Sequence, residues 1–239
     1  MSTATVFLRL DAPVAAWRWL QAGVFRGTFP VIPPSAAWGL ALNLAGVETR
    51  GSVNEVVTPI RPDAPALEIA VGFDPQRPGN KSSLYQQLHS YPVGNASSHL
   101  KDKTYGAKYH IAPVRREVLV DQVAFVGVRG EATLLDRLQR GLAGEFAIDR
   151  YGIPFAGDNQ FLFSRIDVLA QSPIGRWFVP THAPVRGALS TRLTTLIDRG
   201  DSSRTEAPLF AAAVEPTTCP NEAWTQIGPR ARESIHDGT

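Results

Sequence analysis

The 239-residue chain has one cysteine, Cys219, so an internal disulfide framework and a multi-cysteine zinc site are both excluded. It has no long hydrophobic run either. The longest mostly apolar stretch, Ala36 to Val47, is too short to span a bilayer and carries Asn43, so no membrane partner is expected. The first residues, MSTATVFLRLDAPV, lack the basic start and apolar core of a secretory signal. The expectation is a cytoplasmic globular protein. Glycine-rich phosphate loops, G-x-G-x-x-G, H-E-x-x-H and G-x-S-x-G are all missing, which removes the commonest nucleotide, zinc-protease and serine-hydrolase signatures. The spacings of His89, His99 and His110 fit no familiar metal-ligand pattern, so neither a metal nor another cofactor is expected.

Lysine is the scarcest charged residue, and its placement is uneven. All four lysines, Lys81, Lys101, Lys103 and Lys108, fall within Gln76–Arg116, together with Arg77, Arg115 and Arg116. This window carries seven basic residues against one acidic, a net +6; the other 198 residues carry 17 against 21, a net −4. The overall +2 would argue against nucleic acid, yet it is the sum of a basic segment and a mildly acidic body. Four of the five tyrosines (Tyr85, Tyr91, Tyr105, Tyr109) and three of the five histidines lie in the same window. Cations neutralise phosphates, and aromatic rings give unstacked bases a surface, so this mixture suits single-stranded nucleic acid. A solvated surface excursion remains the alternative.

The hydrophobic pattern predicts a strand over Thr3–Leu10, then an irregular Asp11–Ile32 with Trp17, Trp19, Phe25 and Phe29 packed and Arg18 and Arg26 available. Pro33-Pro34-Ser35 followed by AAWGLALNLAG predicts a helix ending at Gly46, with Ser35 as a cap. Ala36, Gly39 and Ala41 would let it lie close to a sheet, and its first amides would receive a phosphate. Strands are expected at Val53–Ile60, Ala66–Phe73, Glu117–Val128, Phe161–Leu169 and Arg176–Val179, and a helix at Glu131–Leu142. The order makes an α+β, ferredoxin-like (RRM-like) β-α-β-β-α-β unit with one sheet face or edge open for a ligand. Residues 1–75 and 117–199 would form this palm with C-terminal extension strands. Residues 76–116 would be a long basic thumb between the second and third core strands, and 200–239 an irregular polar tail.

Tyr105, Lys108, Tyr109 and His110 are also the residue types that cut RNA without metal, as base, acid and charge stabiliser. The alternative is that they only grip it.

FRGTFPVIPPSAAWGLALNLAG, Phe25–Gly46, resembles the signature of the CRISPR-associated Cas-five family: a proline pair, a serine and a helix of small apolar residues. YGIPFAGDNQFLFSRIDVL, Tyr151–Leu169, is similar to the segment that precedes the last core strand in that family. The resemblance implies a non-catalytic RNA-binding and assembly subunit of a type I CRISPR effector (Cascade). Such a subunit holds the 5′ handle of the guide RNA and contacts the large and backbone subunits, with target DNA reached through the complex. Carried onto this chain, Lys81, Lys101, Lys103, Lys108, Arg115 and Arg116 would meet phosphates, and Tyr85, His89, Tyr105, Tyr109 and His110 would meet bases. Arg26 and the amides at Ser35 would add a second contact. Gly157-Asp158-Asn159 departs from the family's basic glycine turn, so no RNA contact is assigned there. Some members of the family are metal-independent endoribonucleases acting on precursor RNA through tyrosine, lysine and histidine; here Tyr109 separates Lys108 from His110.

Overall fold

The computed structural model describes residues 2–19, 25–51, 59–92, 109–146, 152–198 and 201–229, with backbone only for 88–92, 109–112 and 202. The expected strand at Val53–Ile60 falls largely outside them; Ile60 alone bridges Arg50.

Strand β1, Thr3–Ala15, alternates as expected but runs five residues past Leu10: buried Ala12 continues its inner face, and the ladder to the neighbouring strand holds as far as Ala15. It pairs antiparallel with β4, Tyr109–Glu131, and with β5, Arg165–Leu169. Helix α1, Pro34–Leu44, starts on Pro33 rather than on a serine cap, and ends before Gly46, whose φ is +65°. Helix α2, Ala132–Leu142, buries Leu135 and Leu138. The helices cross where Gly141 meets α1; a Cβ there would lie 1.9 Å from the Leu44 carbonyl oxygen. Gly39, expected to permit close packing, has open space around it, so the close approach belongs to the other helix.

Strand β3, Leu67–Pro92, has 26 residues and β4 has 23. Within the basic insertion the described residues, 76–92 and 109–116, continue the two central strands out of the body as one antiparallel ribbon, paired as far as Pro92 and Tyr109. β2, Phe25–Arg26, joins β4 in parallel beside Arg115 and Arg116, beyond the end of β1. β6 (Arg176–Pro180), β7 (Ser190–Arg192), β8 (Leu209–Ala212) and β9 (Thr225–Ile227) complete a sheet of order β5-β1-β4-β3-β6-β8-β7, with β9 on β3. Every pairing except β2–β4 is antiparallel, which makes the protein α+β.

Residues 201–229, expected to be irregular, thus supply two strands. They also close the sheet face opposite the helices. Trp177 and Trp224 pack on Phe7, with ring centroids 5.9 and 6.0 Å away, and Trp177 stacks on Phe125 at 6.2 Å. Arg129 lies 4.1 Å from the Trp224 ring centre, a cation–π contact. Gly72 and Gly127 leave room for these indoles; a Cβ on Gly127 would come within 2.7 Å of Trp224. The face expected to be open for ligand is covered.

Cys219 packs against this second core, and burial pushes its thiol from an ordinary 9.0 up to about 12, with Arg129 opposing weakly. The neutral thiol is favoured by folding, so its contribution to stability is full below pH 9.0 and disappears as pH rises towards 12. At pH 8 a disulfide reagent should label the native protein roughly a hundredfold more slowly than the denatured chain. Equal rates would place Cys219 in solvent.

Candidate nucleic-acid interface

The root of the ribbon spans three adjacent strands. Tyr85 on β3 opposes Arg115 on β4, which in turn opposes Phe25 on β2. Residues paired across strands share a face, so the three form one row: aromatic, cation, aromatic. All three are exposed, Tyr85 at 79% and Phe25 at 38%. The Arg115 guanidinium lies 6.0 Å from the Phe25 ring centre and donates to Ser83 Oγ at 3.2 Å, with no carboxylate partner among the described residues. Lys81 extends the row, 3.4 Å from Glu117 Oε1. An exposed pair of this kind contributes about 0–1 kcal/mol, so exchanging it for a phosphate costs little.

The opposite face of the same strands is occupied by protein. Arg116 is 6% exposed, ion-paired with Asp158, and its guanidinium lies 5.7 Å from the Phe161 ring centre. Gln86 accepts from Arg116 at 3.4 Å and donates to Gln160 at 2.9 Å. Arg116, assigned to phosphate, instead binds the ribbon to residues 158–161; the acidic turn is its counterion. Arg26 lies beside it with its Nε buried and without an acceptor among the described residues. Burial, then repulsion from Arg18 and Arg116, holds Arg26 below the ordinary arginine range, with Asp158 offsetting only part. Asp158 is the carboxylate that offsets this repulsion on Arg26, and it is already ion-paired with Arg116.

The amides of α1 are not open to a phosphate. Ser35 N–H donates to the Thr194 carbonyl at 3.0 Å, and those of Ala36 and Ala37 to Pro33 at 2.9 and 3.0 Å. The Ser35 hydroxyl is buried without a partner among the described residues. His89 of β3 and Tyr109 of β4 sit on paired backbone, and His110 lies in β4 between the paired Tyr109 and Ile111. Lys101, Lys103, Tyr105 and Lys108 lie outside the described residues. Phe25 was expected to be packed; the signal that would have exposed it is its adjacency to Arg26 on a two-residue strand whose partner carries two arginines. Among the described residues no group of histidine, cysteine and carboxylate side chains is arranged to hold a metal, and no helix is long and apolar enough to cross a membrane.

The sequence pattern of a family described as "CRISPR-associated protein (Cas_Cas5)" matches residues 5–144. Among solved structures, a chain of a "CRISPR RNA-guided surveillance complex" is similar over 96% of this chain and 95% of its own, with a TM-score of 0.55 and 19% identity, a likeness of fold. Another, described as "Crystal structure of Cas protein", is 20% identical over 89% of this chain and 95% of its own, with a TM-score of 0.46. No curated protein matches.

Proposed function

Because this chain belongs to the CRISPR-associated Cas-five family, we propose that it is an RNA-binding and assembly subunit of a type I CRISPR effector, holding the 5′ handle of the guide RNA. The observation that carries this reading is the row Phe25, Arg115, Tyr85, a cation with no carboxylate partner among the described residues between two exposed rings at the root of a basic ribbon. Two bases can lie on the rings while the phosphate between them meets Arg115, with Lys81 on the next phosphate. His89, Lys101, Lys103, Tyr105, Lys108, Tyr109 and His110 would continue the contact along the thumb. The palm is read as ferredoxin-like: β1-α1-β3-β4-α2-β5, in the spatial order β5-β1-β4-β3, supports it. The large and backbone subunits would pack on the palm, and target DNA would be met only through the complex. With the RRM-type sheet face covered around Phe7 by Trp177 and Trp224, this reading assigns RNA to the ribbon root.

The test is binding of single-stranded repeat RNA over a salt series. Replacing Phe25, Arg115 and Tyr85 together by alanine should weaken binding by about a hundredfold or more, since each stacked base contributes about 1–3 kcal/mol. Arg115→Ala alone should reduce the salt slope by about 0.7. Wild-type affinity in the folded triple variant would sink the reading.

A further inference from the structure

Between body and ribbon the β3–β4 ladder breaks. Phe73 pairs with Ala124, but the next pair is Pro78 with Gln122, so four residues of β3, 74–77, face a single residue, Val123, of β4. A bulge of this size bends and twists a ribbon and re-aims what lies beyond it. Both strands take the left-handed region here: Gly79 has φ +87° and Asp121 φ +58°. For an aspartate that conformation is strained. It is held by Arg77, whose Nε and Nη2 donate to Asp121 Oδ1 at 3.1 and 2.5 Å.

Backbone bonding is thinned at this level, although Gln122 itself still pairs with Ala12 and Pro78. Pro75 and Pro78 have no N–H to give, Pro13 of β1 falls opposite Asp121, and Pro30 passes nearby. One side chain reinforces the thinned ladder. Gln122 is fully buried. Its Oε1 accepts from Trp17 Nε1 at 2.7 Å, and its Nε2 donates to the carbonyls of Pro30 and Pro78 at 2.8 and 3.0 Å. Those partners belong to the segment after β1, the approach to α1, and the ribbon itself. Gly79 packs on it so closely that a Cβ would be 3.0 Å from that of Gln122.

We infer that Gln122 is a positioning residue that, with the Arg77–Asp121 clamp, fixes the direction in which the ribbon leaves the body and so keeps the Phe25–Arg115–Tyr85 row assembled on strands from both. The part concerning RNA rests on the proposed function; the mechanical part does not. Gln122 has the two amide hydrogens and the carbonyl that three partners from three segments require, and no apolar side chain of its size can bond any of them. Loss of these bonds lets the ribbon sample several directions. If a tenth of the population keeps the competent one, RNA affinity falls about tenfold without any contact residue being changed.

The experiment measures direction and binding separately. Spin labels at Gln87→Cys on the ribbon and Gln139→Cys on α2 report the distance between ribbon and body; the half-buried Cys219 is left unlabelled. Gln122 intact should give one narrow distance distribution, and Gln122→Met a broadened or shifted one, with RNA affinity about tenfold lower. Arg77→Ala, at an exposed position, should broaden it as well and serves if Gln122→Met fails to fold. An unchanged distribution in the folded variants overturns the inference. Broadening with unchanged RNA affinity overturns the positioning role but leaves the RNA-binding row standing. If instead the row variants bind RNA normally while the distribution broadens, the proposed function fails and the mechanical role of Gln122 survives.

Discussion

Gly141→Ala is expected to destabilise the protein by about 2–3 kcal/mol, although alanine is the better helix former. The added methyl would meet the Leu44 carbonyl at 1.9 Å and the Phe146 ring at 2.5 Å, so α1 and α2 must separate and lift from a core that both help to close. Gly39→Ala is the control with the opposite sign. It is likewise inside a helix, a Cβ there meets nothing within 4 Å, and the same substitution should stabilise by about 0.5–1 kcal/mol. Thermal denaturation of the two variants decides it: two helical glycines, one chemical change, and melting temperatures that move apart. A rise for Gly141→Ala would mean that the helices do not cross there.

The second large effect is electrostatic. Asp158→Ala removes the carboxylate that compensates Arg116, which is 6% exposed and is neighboured by Arg26. Breaking one side of a buried pair leaves a desolvated charge and typically costs about 3–5 kcal/mol. Arg116→Met in the same background removes that charge and should restore most of the loss, because the methionine can still cover Phe161. Urea denaturation of the single and double variants gives the coupling energy. Additive losses would show that Arg116 and Asp158 act independently. The single variant should also raise non-specific affinity for polyanions, since Arg26 and Arg116 would both lose the carboxylate beside them.

The body of the fold is legible because burial writes a pattern. β1 alternates, α2 places Leu135 and Leu138 a turn apart, and α1 begins at a proline pair. The ribbon leaves no such pattern. Ser82, Ser83, Gln86 and Gln87 are polar on either face, so hydrophobic periodicity ends at Phe73 while the strand runs on to Pro92. Arg115 and Arg116 are chemically identical neighbours; only the alternation of the strand sends one to solvent and the other to Asp158. The charge imbalance therefore pointed to the ribbon that carries the proposed interface but could not sort its members. Ser35 illustrates the opposite failure. Its local context is that of an open helix start, and the carbonyl that occupies its amide comes from Thr194, at the other end of the chain, where no local signal points back to it. The tail misled through composition: its polar residues surround a few anchors, Ala223, Trp224 and Ile227, each too isolated to show a period.

Trp224 and β9 close over strands that are synthesised first. Phe7, at the start of the chain, and Phe125, at its middle, find their indole partners only in residues 177–224. During translation the N-terminal half can pair β1, β3 and β4 and seat both helices, yet one face of that sheet stays bare and aromatic until the last fifth of the chain leaves the ribosome. A polypeptide cut before residue 209 would thus leave Phe7 and Arg129 without the indole of Trp224 that covers them in the complete sheet.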